Sequence, residues 1–424
     1  MAGDSRGEDV IRGLCMCSAV IATSLGSRAA VAGDPLNSSD KGTTPSVASQ
    51  AHNELTIVPI VGGSTDIGIG GGGFLGYSRT APHLEPYVWN LEIAAFISFK
   101  GEDGAVDAPY QDAYVAFSVP RFLGKLRLDV RGSYSWESLL NYDGIGNASS
   151  DTLPAGASAS YFRYGRLHPG LDVQVRWKLA GHVAAKVGIR YTQNWLQVAP
   201  DSKLAEDLQS HRDTIVGSAE PHAVVLFKYG LQWDDRDNET STHSGWFHTL
   251  DVKLSPGGVG AFPYRYGQAT LVLRGFLPLY RPYLTLAARV VGDVLVGDAP
   301  FYELARFADT YAIGSGTGVR GVPAQRYSGK LKAFANVELR AEVVRFRLFG
   351  KPSIFGLVGF FDAGRVWADT AYHPELDGTT LGLKYGVGGG LRFQSGEAFV
   401  LRADVAWSPD ARPVGAYLSA GQLF

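Results

Sequence analysis

The chain has 424 residues and a formal net charge of −2, from 39 basic and 41 acidic side chains, a balance that does not support a nucleic-acid-binding surface. Its 53 glycines, 12% aromatic residues and only two methionines are unusual for a soluble enzyme and ordinary for a β protein. The length suits two or three ordinary domains or one large β-barrel.

The N-terminal segment reads as a secretory leader. Arg6 and Arg12 precede an apolar run over 13–26, and the small residues SRAAVAG at 27–33 offer a cleavage site. Residues 1–33 are therefore expected to be a signal peptide. Both cysteines, Cys15 and Cys17, fall inside it. No second pair completes a metal site, and neither cysteine sits in a lipobox. Residues 34–52, rich in Ser, Thr, Pro and Gly, read as a disordered periplasmic lead-in, leaving 53–424 as the folded domain.

Beyond the leader, no stretch has the roughly 20 apolar residues of a membrane helix. Period two recurs instead. Over 125–136, Lys125, Arg127, Asp129, Arg131, Ser133 and Ser135 alternate with Leu126, Leu128, Val130, Tyr134 and Trp136. Over 331–343, Lys332, Asn336, Glu338, Arg340 and Glu342 share one face, opposite Leu331, Ala333, Ala335, Val337, Leu339, Ala341 and Val343. A soluble sandwich and a membrane barrel both give this pattern, with opposite faces wet.

Strand length, terminal aromatics such as Trp136, Trp195, Trp233, Trp367 and Trp407, and alternating loop lengths favour the barrel. The reading is an all-β fold, a transmembrane antiparallel β-barrel of 16 strands with a long inward-folded loop. The strands fall at 53–61, 66–78, 87–99, 110–119, 125–136, 158–179, 182–196, 220–235, 244–256, 263–276, 282–294, 331–346, 354–367, 382–394, 397–407 and 415–424. The sixth is expected to bend near His168-Pro169. Loops 137–157, 197–219, 295–330 and 368–381 are long, and turns 180–181, 277–281 and 395–396 are short. That parity puts both chain ends on the short-turn, periplasmic side.

Several motifs carry no chemistry in this setting. Gly68 to Gly73 matches a nucleotide loop, yet it continues as a strand. The run Gly314-Ser315-Gly316-Thr317-Gly318 lacks the strand-turn-helix context of a nucleophile elbow. His211, His222, His243 and His248 form no metal cluster, and Asp234-Asp235-Arg236-Asp237 reads as a solvated turn. No cofactor, metal site or nucleophile–base set emerges, so no enzyme activity is expected.

One constellation does. Arg320 sits between Val319 and Gly321 in the Gly-rich stretch of the longest loop. Asp362 interrupts the apolar run GFFDAG, and Glu338 lies on the polar face of the preceding strand. A lone acid there is costly unless paired. An arginine reaching both acids would have a bidentate partner and a near neighbour. The alternative is three unrelated charges lining a wet lumen.

Val-Arg-Gly in such a loop, followed by N-V-E-L-R and G-F-F-D-A-G-R-V-W, resembles the BamA/TamA-type bacterial surface antigen family. So do Asn141-Tyr142-Asp143-Gly144-Ile145-Gly146-Asn147 and Asp234–Asp237. The resemblance spans about 53–424. It implies a sixteen-stranded outer-membrane barrel whose sixth outer loop folds into the lumen. Val319, Arg320 and Gly321 would form its tip, with Glu338 and Asp362 as lumenal acid partners.

The chain departs from the family in having Val322 where an aromatic usually follows, and the short stretch before the first strand leads to the expectation of a form lacking the periplasmic repeat domains. The last strand, with Tyr417, Leu418 and Phe424, resembles the C-terminal signal read by the barrel-insertion machinery. The implied function is insertion or translocation of proteins at the bacterial outer membrane. Membrane lipid, the insertion machinery and client outer-membrane proteins would be partners. The alternative is a loop-plugged pore or structural barrel without clients.

Overall fold

The computed structural model describes residues 51–424 apart from 82–83, 103–104, 159, 211–217, 239–240, 259, 308–309, 312, 314–316, 349–350, 396–398 and 411–413. The expected leader, most of the lead-in, both cysteines and Gly314 to Gly316 lie outside the described residues.

The strands are β1 (His52–Ser64), β2 (Gly68–Ala81), β3 (Leu84–Glu102), β4 (Ala105–Phe122), β5 (Leu126–Asn141), β6 in two segments (Arg163–Leu167 and Gly170–Ala180), β7 (Val183–Val198) and β8 (His222–Asp234). They continue with β9 (Gly245–Pro256), β10 (Arg265–Tyr280), β11 (Leu284–Gly297), β12 (Leu331–Leu348), β13 (Lys351–Trp367), β14 (Lys384–Ser395), β15 (Phe399–Trp407) and β16 (Gly415–Ala420). Each pairs antiparallel with its sequence neighbours, and β1 meets β16 to close the sheet. The result is a sixteen-stranded barrel with one strand broken in two.

The break falls at His168-Pro169. Proline has no N–H to give the ladder. Here the His168 N–H donates to Ser135 O at 2.9 Å and the Pro169 carbonyl accepts from Gln193 N at 3.0 Å, so the neighbouring strands bridge the gap.

Burial along the strands is inverted relative to a soluble protein. On β10 the buried residues are Tyr266, Gln268, Thr270, Val272 and Phe276, while Leu271, Leu273 and Leu277 are exposed. On β11 Thr285, Arg289 and Asp293 are buried, and Val290 and Val296 are exposed. Apolar side chains facing outwards and polar ones facing inwards are what a lipid-embedded barrel requires. Exposed Trp195 and Trp407 sit near the long-loop rim, and exposed Trp233 and Trp246 near the short-turn rim, as two aromatic belts. No helix of the described residues is long and apolar enough to cross a membrane.

Two short helices lie in outer connections: α1 (Lys203–Ser210) between β7 and β8, and α2 (Pro374–Asp377) between β13 and β14. The loop from β11 to β12 carries a 3-10 turn, Phe301–Glu303, and a two-residue hairpin, Arg306–Phe307 with Thr310–Tyr311. Phe301, Tyr302 and Leu304 pack with Tyr142, Tyr164, Tyr264, Tyr266 and Leu295 into the largest buried cluster, at the long-loop end. Beside it is a polar cavity of about 670 Å³, lined by Glu92, Asp112, Arg131, Glu137, Lys253 and Tyr302 among others.

The final strand is shorter than expected. β16 ends at Ala420 rather than running to 424, and Gly421 turns the chain with φ 86°.

Candidate functional site

The site is built where the β11–β12 loop meets the polar faces of β12, β13 and β15. Strand register sets the frame. Asn336 on β12 lies opposite Asp362 on β13, and Glu338 lies opposite Phe360 one step along the same face. Asp362 in turn faces Gly386 on β14. Each acid arrives by period two alone.

Arg320 fills the space between them and is completely buried. Its Nε donates to Asp362 Oδ2 at 2.7 Å and its Nη2 to Asp362 Oδ1 at 2.9 Å, a bidentate fork. Nη1 donates to Glu338 Oε1 at 2.6 Å and to Asp404 Oδ2 at 3.1 Å. The backbone N–H of Arg320 also donates to Asp362 Oδ2, at 3.1 Å. Beneath the guanidinium, Cζ lies 3.4 Å from the centre of the Phe360 ring, a cation–π contact. The structure thus brings Arg320, Glu338 and Asp362 together.

The rest of the tip is equally tied. Val319 and Val322 are fully buried with Val272, Val291, Ile313, Tyr327, Phe334 and Val366. Val322 therefore packs as an aliphatic residue where the family resemblance suggested an aromatic. Gly321 has φ 91°, a conformation that favours glycine, and its N–H donates to Tyr417 Oη at 2.8 Å. Asn336 Nδ2 donates to Gly318 O at 2.8 Å. A Cβ on Gly386 would lie 1.8 Å from Arg320 O, so only glycine lets the loop backbone come this close.

Sequence reasoning missed Asp404. It sits on β15, accepts from Arg320 Nη1 and Arg392 Nη1, and lies 3.6 Å from Arg402 Nε. It also missed Arg340, whose Nη2 lies 2.8 Å from Glu338 Oε2. Both lie on polar faces of alternating strands, which is the signal that could have found them. What the chain alone does not give is the height at which each strand meets the loop.

The C-terminal residues do not run on as one strand to Phe424. The side chain of Tyr417 is buried against the loop tip. Leu418 lies opposite Gly63 of β1. Past the turn at Gly421, the Phe424 ring sits 6.3 Å from that of Phe276 and its carbonyl accepts from Arg340 Nη2 at 3.1 Å. Gln422 Oε1 accepts from Arg392 Nε at 3.1 Å. Phe276 and Arg340 belong to the lumenal face, so the tail leaves the wall and lies against its inner side.

On the short-turn side, Arg236 forks onto Asp234 through Nε at 2.8 Å and Nη2 at 2.7 Å. Asp237 Oδ1 accepts from the N–H groups of His243 and Ser244. His243 reaches further, to Glu342 Oε1 at 2.7 Å. That hydrogen bond raises its pKa above the ordinary histidine value, outweighing partial burial, which lowers it. Among the described residues no group of His, Cys, Asp and Glu could hold a metal ion.

Residues 97–424 match the Omp85 superfamily domain. BamA from Haemophilus ducreyi lacking POTRA domains 1–3 superposes with a TM-score of 0.60 at 13% identity, over 88% of this chain and 70% of that one. CdiB from Escherichia coli superposes with a TM-score of 0.53 at 15% identity, over 87% of this chain and 62% of that one. At these identities the two structures speak for the fold. Compared by sequence with curated proteins, the chain has no significant match. The family domain covers most of the chain, which therefore belongs to the Omp85 superfamily of outer-membrane β-barrels.

Proposed function

We propose that this barrel assists insertion or translocation of polypeptides at the outer membrane, and that the seam between β1 and β16 is where a client strand engages. The observation that carries this reading is the mismatch of pairing at closure. β1 pairs with β2 over thirteen positions but with β16 over two, Gly63 with Leu418 and Ser64 with Tyr417. Residues 52–62 of β1 thus present one edge without a ladder partner among the described residues. Unpaired N–H and C=O groups on a strand edge are a template for an added strand. Leu55, Ile57 and Val61 are exposed along it, so a client strand could match both its backbone and its greasy face.

The partners in this reading are lipid, the machinery that inserts this barrel, and client outer-membrane proteins. The test is a disulfide across the seam, Gly63→Cys with Leu418→Cys, in cells depleted of the wild-type protein. Locking should lower the amounts of client outer-membrane proteins, and reduction should restore them. A photo-crosslinker at position 57 should capture a client strand in the unlocked barrel. Unchanged client levels with no crosslink would favour a plugged structural barrel instead.

A further inference from the structure

Arg274 of β10 and Arg289 of β11 are direct cross-strand partners. Both lie on the lumenal face, Arg274 between Val272 and Phe276 and Arg289 between Ala287 and Val291, all four of which are buried. Like charges at directly opposed positions repel, and most of all away from bulk water. Such a pair is ordinarily held by an acid between or beside the two. Here neither guanidinium forms an ion pair with a carboxylate among the described residues. Arg289 donates to Asn336 Oδ1 and to Thr317 O, both neutral. Arg274 Nη1 is buried with no hydrogen-bond partner, and the guanidinium rests 4.7 Å from the centre of the Phe247 ring.

The surrounding acids are already committed. Asp234 is forked by Arg236, Asp251 pairs with Lys186, and Asp362 with Arg320. A third cation, Arg340, pairs with Glu338, and the Phe424 ring lies 5.1 Å from Arg289 Cζ and 5.0 Å from Arg340 Cζ. The wall at this height therefore sets the Arg274 guanidinium on the strand beside Arg289, whose Nη1 is not used by the Asn336 and Thr317 bonds, with an aromatic ring against each and no carboxylate ion-paired to either among the described residues.

We propose that Arg274 and Arg289 form an anion site on the lumenal wall that takes a side-chain carboxylate of a polypeptide held in the barrel. That the carboxylate belongs to a polypeptide rests on the proposed function; the need for an anion rests on the two arginines alone. A carboxylate here accepts from the Arg274 guanidinium and from Nη1 of Arg289, which converts the repulsion into two charge-assisted contacts.

The test uses the full chain in detergent micelles. Acetylated, amidated tetra-aspartate is titrated in by calorimetry at fixed ionic strength, and inorganic phosphate is titrated separately. The peptide should bind the wild-type barrel, and Arg274→Gln and Arg289→Gln should each weaken binding at least about tenfold. No binding, or equal binding by the variants, overturns the site. Binding of phosphate without the peptide overturns the polypeptide assignment, while leaving the seam crosslink to stand or fall separately.

Heat-modifiability of the peptide-free proteins gives a second reading. Arg274→Gln removes its Phe247 contact together with the like-charge contact, so the pair is read from its effect in two backgrounds: it should lower the melting temperature less, or raise it more, in the wild type than in Arg289→Gln, where the opposed charge is already gone. An equal change in both backgrounds would overturn the proposal.

Discussion

Asp362 holds Arg320 at three points: two parallel side-chain hydrogen bonds of 2.7 and 2.9 Å, and a third of 3.1 Å from the Arg320 backbone N–H. Side chain and main chain of the loop tip are thus fixed by a single carboxylate on the barrel wall. With Glu338 and Asp404 also in contact, one buried cation faces three buried acids. The balance is completed by Arg340, Arg392 and Arg402 around the acids.

Arg320→Ala should cost about 3–5 kcal/mol, the range for removing one partner of a buried ion pair. It leaves Asp362 buried without its ion-pair partner. Protease access to the loop 298–330 in intact cells should rise, and the folded band should melt at lower temperature. Arg320→Lys should rescue little, because an ammonium cannot fork onto Asp362 while reaching Glu338.

Asp404→Asn should be nearly as damaging. Arg320, Arg392 and Arg402 would all face an amide that carries no charge. The loss should show as a lower melting temperature with the strands still formed. A double variant, Asp404→Asn with Arg392→Gln, should recover part of it, since the two substitutions remove opposite charges from one network.

Gly386→Ala should release the tip without touching any charge. Its Cβ would meet Arg320 O at 1.8 Å, a collision with backbone that no rotamer relieves. Gly359→Ala is the control, because nothing lies within 4 Å of the Cβ it would add. Loop proteolysis should increase in the first variant and stay at the wild-type level in the second.

Tyr417→Phe removes the oxygen that accepts from the Gly321 N–H and leaves that donor buried. The expected cost is about 1–3 kcal/mol, read from the melting temperature.

The His243–Glu342 contact ties the turn between β8 and β9 to β12. The folded-state pKa of His243 is raised, so its contribution is complete below the unfolded histidine pKa of about 6.5. It is lost as pH climbs through the raised value. The difference in melting temperature between wild type and His243→Ala should shrink from about pH 6 to about pH 8. A difference that is flat over this window would mean that the imidazole is not charged in the fold.

The barrel was legible because lipid and water impose opposite demands on alternate residues. Lys332, Asn336, Glu338 and Arg340 had to share a wet face once Val337 and Leu339 faced lipid. The bend at His168-Pro169 was legible for a similarly local reason, the missing proline N–H. The acid Asp404 was not, because its meeting with Arg320 depends on how a loop descends onto strands far along the chain. Helix α1 was missed because eight residues in a long polar connection carry little periodic signal. The tail was misread because alternation was carried through Gly421, where the backbone turns with positive φ. The placement of Phe424 against Phe276 and Arg340 follows from that one glycine.

Tyr417 does two jobs within a single residue step. Its hydroxyl accepts the Gly321 N–H of the loop tip, and its own backbone lies opposite Ser64 at the point where the wall closes. Drawing the last strand away from the first by more than a hydrogen-bond length must therefore pull on the bond that holds the loop tip. Closure of the wall and seating of the tip are joined through one side chain, so strain at either is felt at the other.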